Sequence, residues 1–501
     1  MTLLPALPML AALGAAVLGL LTASHPRLQR AFSLVGAAVH LAASCLLLAT
    51  VRASGPQVLQ MGSWAAPFGI SMAVDLFGAL LLVATGIIYL GTLIYSQRGL
   101  SPELARFQYF PLVSFLVFGV SGAFTTGDLF NLYVCYEILL ISSFGLLVLG
   151  NSKAQLRGAV KYLVLNLLAS AFFLVGSGLL YGQVGTLNLA QLAERVGAMA
   201  ELPPQLRAVG WLLFTGFAIK AGLFPLFFWL PASYHTPAPA VSALFSGLLT
   251  KVGLYSIFRL FSLVFPQQDG KAFPFLVLVA ILSMWVGVLG AVSRGSVRRI
   301  LSVHIISQVG YVLLGFALFS DLAVAAAIFF MLHTLIAKTG LFFAAGVIED
   351  LNGSGELKDA GGLARQAPWL AFFFFVLALA LAGLPPLSGF FAKFVLARAA
   401  METHSFGSLA AVVLVSVLTL FSMLKIWNEV FWKPRPAGLL SSSSLAAESI
   451  FGPRLVVVAA FAALVTAMGL GARPLFGLCQ EAARGLTDPS AYVRAVLGAG
   501  R

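Results

Sequence analysis

The sequence predicts an all-α integral membrane protein of about fourteen transmembrane helices, with an inverted five-helix repeat and broken helices 7 and 12. Three observations lead there: the composition, the spacing of apolar stretches, and a matched pair of glycine/proline interruptions. Of 501 residues, 60% are hydrophobic and 9% charged, with mean hydropathy +0.99. Soluble domains carry about 25% charged residues, so a water-facing surface cannot be assembled from this chain. A soluble enzyme and a disordered chain are both excluded. The net charge of +13 comes from 30 basic residues scattered along the chain, which form no nucleic-acid patch. Cys45, Cys135 and Cys479 lie far apart in apolar surroundings and suit neither a disulfide framework nor a metal site.

A bilayer core takes about 20 apolar residues per helix. Such stretches fall at 3–22, 31–50, 70–95, 108–125, 128–150, 160–182, 206–229, 239–264, 273–293, 300–319, 322–348, 369–400, 407–431 and 454–472, and are numbered here as spans 1 to 14. Span 1 lacks a basic leading segment, so it is expected to be retained as a helix. The larger polar connections are 183–206, 349–368 and 432–453, none long enough for a soluble domain. Basic residues crowd the loops after the odd-numbered spans, including Arg27, Arg30, Arg98, Arg106, Lys153, Arg157, Lys161, Arg294, Arg298 and Arg299. The opposite loops are assigned only Arg52, Arg195, Arg207, Arg259, Lys271 and Arg398. Positive residues mark the cytoplasmic side, so both termini are expected on the other side.

Five basic residues remain inside spans, and all are lysines: Lys220, Lys251, Lys338, Lys393 and Lys425. Arginine keeps its proton, whereas a desolvated lysine can release one, so this choice points to proton exchange. The alternative is snorkelling of lysines toward headgroups. It suits Lys425, which lies near a helix end with Glu429 four residues on as an expected partner. Glu137 is the carboxylate deep in a span. It sits nine residues past Asp128, or ~13 Å along a helix. It serves either as a proton site or as a paired acid locking two helices. Asp75 and Asp128 open spans 3 and 5, where the helix dipole favours acids. His304 and His333 can pass protons or simply pack. His333 and Lys338 are five residues apart and share no face of a regular helix. Ser246, Thr250, Asn166 and Ser307 can hold water or act as packing glue.

Span 7 contains Lys220 followed by AGLFP, with Gly222 and Pro225; span 12 contains AGLPP, with Gly383, Pro385 and Pro386, then Lys393. An offset of five spans puts the two copies in opposite membrane orientations, the pattern of inverted repeats in ion transporters. The expected divisions are 1–107 (spans 1–3), 108–264 (first repeat, spans 4–8), 273–431 (inverted second repeat, spans 9–13) and 432–501 (a loop, span 14 and the tail). No nucleotide loop, metal-ligand spacing or nucleophile–base set occurs, so neither cofactor nor metal is expected.

The segments DLFNLYVCYEILLISSFGLLVLG (128–150), KYLVLNLLASAFFLVGSGLLYGQVGTLNLA (161–190), IKAGLFPLFFWLPASYHTPAPAVSALFSGLLTKVGLY (219–255) and LAGLPPLSGFFAKF (381–394) resemble the antiporter-like subunits related to respiratory complex I. The DLFNLYV…E form and the length are most similar to the D-type subunit of Mrp-type multisubunit cation/proton antiporters. Cys135 and Tyr136 stand before the glutamate where other aromatic or apolar residues are usual. The resemblance implies that Glu137 is the helix-5 glutamate, Lys220 the helix-7 lysine, Lys251 the helix-8 relay, His333 and Lys338 the helix-11 relay, and Lys393 the helix-12 lysine. It implies a non-enzymatic transporter subunit in a bacterial cytoplasmic membrane, inactive without partner subunits that include a larger homologue. Inward proton flow would then drive Na⁺ (or K⁺, Li⁺) export. The alternative is a proton-pumping subunit of complex I or a membrane-bound hydrogenase.

Overall fold

The computed structural model describes residues 3–98, 104, 107–265, 272–435 and 452–498. Arg106, Lys271, Arg501 and most of the 432–453 connection lie outside the described residues. Each of the fourteen apolar stretches contains a helix or a broken helix. Eleven helices among the described residues are long and apolar enough to cross a membrane, and Tyr109–Thr125 and Pro368–Ala382 are shorter apolar helices. Spans 8 (Pro239–Val264), 10 (Val297–Ala317) and 11 (Asp321–Asn352) form the almost fully buried centre. Spans 1, 2, 6 and 13 leave broad apolar faces exposed. An outward apolar face and an inward mixed one are what a bilayer demands, since lipid satisfies no polar group.

Spans 7 and 12 are broken as expected. Span 7 runs as Pro204–Ala221 and resumes as the short helix Trp229–Ser233. Span 12 runs as Pro368–Ala382 and Ser388–Glu402. The first half-helix ends on Gly222 (φ 74°) in one case and Gly383 (φ 93°) in the other. Only glycine enters this left-handed region without a Cβ clash, so the same residue stops both helices. The Phe224–Pro225 and Pro385–Pro386 peptide bonds are both cis.

Several expectations are corrected. Arg259 is not a loop residue: it lies within span 8, 3% exposed, in a bidentate ion pair with Asp75. Lys425 does not pair with Glu429. Its Nζ donates to the carbonyls of Val292 (3.0 Å) and Arg294 (2.8 Å), capping the end of span 9, while Glu429 pairs with Lys433 at 3.0 Å. Span 3 starts at Leu76, not 70, because residues 57–60 and 71–74 form a two-stranded antiparallel hairpin. The 183–206 connection holds the amphipathic helix Leu189–Gly197, and the tail holds helices Ala472–Thr487 and Ser490–Gly498. By contrast, Asp75 and Asp128 open their spans as expected, as helix N-caps accepting from Gly78 N (3.0 Å) and Asn131 N (2.8 Å).

The alternation of loops holds in three dimensions. Loops after odd spans meet at one end: Arg298 bonds Glu349 (2.6 Å) and the Pro237 carbonyl (2.5 Å), Arg454 pairs with Asp350, and Gly362 N donates to the Lys433 carbonyl (2.7 Å). Loops after even spans meet the tail at the other end, where Asn188 donates to Ser71 (3.0 Å) and Gln60 to the Val496 carbonyl (3.2 Å).

Candidate functional site

Of the six residues singled out as a proton path, Lys220, Lys251, His333, Lys338 and Lys393 are buried inside the helical bundle, each at most 5% exposed. Lys220 occupies the last turn before the first break. Its Nζ donates to Ser170 Oγ on span 6 at 3.1 Å and stands 5.3 Å from the centre of the Tyr136 ring. The broken backbone is held by side chains: Trp229 Nε1 donates to the Ile219 carbonyl (2.8 Å), and Phe224 N donates to Ser283 Oγ (2.9 Å). Unwound backbone at this depth persists only where protein groups satisfy it.

Glu137 faces differently. It is half-buried on span 5, beside the exposed Phe130, Val134 and Ile141, and its Oε1 is buried without a hydrogen-bond partner. Lys220 lies within electrostatic reach of it, but the two make no ion pair. The lysine thus rests on a hydroxyl and an aromatic face, and the acid is left toward the outer surface of the bundle.

Lys251, on span 8, donates to the Ser246 carbonyl at 2.5 Å. A Cβ on Gly253 would meet Ala221 N at 2.6 Å, so span 8 lies directly against the span 7 break. Lys338, on span 11, donates to the Leu301 carbonyl at 3.1 Å and is within electrostatic reach of Lys251. His333 turns to another neighbour, pairing through Nδ1 with Ser388 Oγ at 2.8 Å, as the five-residue spacing requires. Lys393 donates to the carbonyls of Leu381 (3.1 Å) and Ala382 (2.7 Å), the open end of the first half of span 12. Its ammonium lies 5.2 Å from the centre of the Tyr311 ring. Both broken-helix lysines therefore sit over a tyrosine face, which attracts a cation most when water is excluded.

In the sequence His304 stands open between proton transfer and packing, leaning to packing, and Gln308 does not stand out. His304 is fully buried on span 10, bonds Ser422 Oγ at 2.5 Å through Nε2, and lies within electrostatic reach of both Lys338 and Lys393. His304, Ser307 and Gln308 line one face of span 10, and each carries a buried polar atom without a partner. Their spacing of three and four residues was the available signal. Among the described residues no group of three or more His, Cys, Asp or Glu side chains could hold a metal.

The fold defines a polytopic membrane protein with two broken helices and a buried lysine beside each break. Residues 126–419 match the family described as NADH:quinone oxidoreductase/Mrp antiporter, transmembrane region, and the chain belongs to that family. Similar proteins include the D-type subunit of the Na⁺/H⁺ antiporter of Alkalihalophilus pseudofirmus, 42% identical over 95% of this chain and 96% of that one. The corresponding Na⁺/H⁺ antiporter chain of Bacillus subtilis, also a D-type subunit, is 39% identical over 98% of both chains. A chain in the structure of the Mrp complex from Dietzia sp. superposes with TM-score 0.90 at 33% identity, over 99% of this chain and 100% of that one. A chain of the archaeal membrane-bound sulfane sulfur reductase gives 0.88 at 27%, over 99% of both.

Proposed function

We propose that this chain is the proton-translocating D-type subunit of a multisubunit monovalent cation/proton antiporter. Protons would pass along Glu137, Lys220, Lys251, Lys338, His333 and Lys393 and drive Na⁺ (or K⁺, Li⁺) export. We add His304 to the line. The divisions 108–264 and 273–431 are proposed as its two inverted halves, each contributing one broken helix.

The observation that carries this reading is the hydrogen bonding of the lysines. Each ammonium donates to neutral oxygen, a serine hydroxyl or backbone carbonyls, and none forms an ion pair. A neutral amine still donates to those acceptors, so a proton can leave without stripping the group of its bonds. Neighbouring ammonium groups also repel, so a proton on Lys338 opposes one on Lys251 and proton occupancy can be handed along. The orphaned atoms of Glu137, Thr250, His304, Ser307, Gln308 and His333 require partners, and water is the partner that a proton path needs.

The test is cation/proton exchange in inside-out vesicles carrying the whole complex, with Na⁺, K⁺ and Li⁺ compared. Glu137→Ala and Lys220→Ala, each at normal expression, are expected to lower exchange at least tenfold. Unchanged exchange in both overturns the assignment. A second reading is favoured by the likeness to a chain of an archaeal respiratory complex: the same line could serve a redox-driven pump. Co-purification of flavin or iron–sulfur subunits with the native chain would select it.

A further inference from the structure

The surface of span 6 carries a feature that the proton line does not use. Its helix, Lys153–Val184, has 32 residues, about 48 Å, against a hydrocarbon core of about 30 Å. The excess length lets its basic first turns reach the headgroup layer. There Lys153, Arg157 and Lys161 follow at four-residue intervals, all exposed and on one face. Among the described residues none of the three pairs with an acid. Immediately below lies a cavity of about 450 Å³ lined by Val160, Lys161, Val164, Leu165, Phe228 and Trp229, between span 6 and the broken part of span 7. A basic ladder above an apolar groove has the amphipathic form of a phospholipid: anionic phosphate above, acyl chain below.

We propose that this site binds one anionic phospholipid, its phosphate against Lys153, Arg157 and Lys161 and an acyl chain in the groove against Val160, Val164 and Phe228. The occupant bears on the transport line through a single residue. Trp229 packs edge-on against Tyr162 (5.4 Å), and its Nε1 holds the Ile219 carbonyl, the peptide that leads into Lys220. Trp229 is 1% exposed and forms the floor of the groove, so a chain lying over it backs the residue that holds the break beside Lys220.

Native mass spectrometry of the intact complex, released from vesicles of phosphatidylglycerol and phosphatidylcholine, tests the site. Retention of phosphatidylglycerol is expected to weaken roughly fivefold per charge removed in K161Q and in K153Q/R157Q/K161Q. The control K358Q/R365Q, on other exposed basic residues, should leave retention unchanged. F228S, at the exposed rim, should weaken retention without altering charge. Exchange by the parent complex should rise with the phosphatidylglycerol fraction, and the triple variant should lose that dependence. Equal retention by the triple variant and the parent overturns the proposal, as does an equal loss in K358Q/R365Q. An effect of the charge variants without one from F228S removes the acyl groove. A photo-crosslinking residue replacing Val164 should label phosphatidylglycerol, and labelling of a partner subunit instead also overturns the proposal.

Discussion

At the buried cationic positions, arginine and lysine are used for different ends. Arg259 is locked by both guanidinium nitrogens onto Asp75 and enclosed by the rings of Phe77, Tyr255 and Tyr492. A guanidinium holds its proton, so this is a fixed charge with a fixed partner. The lysines of the proposed line rest on neutral acceptors, which a neutral amine can also use. Lys393→Arg separates charge from exchange: it keeps a cation near the carbonyls of Leu381 and Ala382. Cation/proton exchange is expected to fall at least tenfold at normal expression; an arginine variant with full exchange would assign Lys393 to capping alone.

The broken spans place these residues. A continuous helix closes its own carbonyls, whereas the half-helix ending at Ala382 leaves them open, and Lys393 from the second half returns to cap them. The return requires close backbone approach: a Cβ on Gly389 would collide with the Ala380 carbonyl and stand 3.0 Å from His333 Nε2. Gly389→Ala should therefore push the two halves of span 12 apart. About 1–3 kcal/mol of stability is at stake, as for other overpacked sites. The expected result is a lower midpoint of thermal aggregation for the purified complex, with exchange reduced even where the protein remains folded. An unshifted midpoint would show that the two halves tolerate the added methyl.

Taken as a whole, the bundle has two unlike ends. One gathers Arg298, Glu349, Arg454 and Asp350, and the other is closed by the hairpin, the Leu189–Gly197 helix and the tail. Tyr492 brings the last helix onto Arg259, 5.3 Å from ring centre to guanidinium, so the tail covers the Arg259–Asp75 pair. Asp75→Asn leaves a buried positive charge without its counterion, a loss of about 3–5 kcal/mol for a broken buried pair. It should destabilise the chain more than Asp128→Ala, which removes an N-cap worth about 1 kcal/mol. Thermal unfolding of both variants, followed by tail accessibility to protease, checks the order. Equal stability of the two would place the Asp75 pair among the minor contacts.

The span pattern, the two breaks and the deep lysines were legible along the chain because the bilayer imposes local rules. It demands about 20 apolar residues per crossing, tolerates helix breaks only inside protein, and makes any charge at depth conspicuous. Glu137, Lys220 and Lys393 stood out for that reason. Partnership followed no such rule. Asp75 and Arg259 are 184 residues apart, and His304 and Ser422 are 118 apart. Lys425 has an acid one turn away yet bonds the carbonyls of Val292 and Arg294 at and just past the end of span 9. Nor did hydropathy show that Glu137 faces outward while Lys220 turns to Ser170 and Tyr136. Depth in a membrane is a property of local composition and can be read residue by residue. The neighbour that a side chain meets depends on how helices remote in sequence pack, and that packing is what gave the scattered lysines their partners.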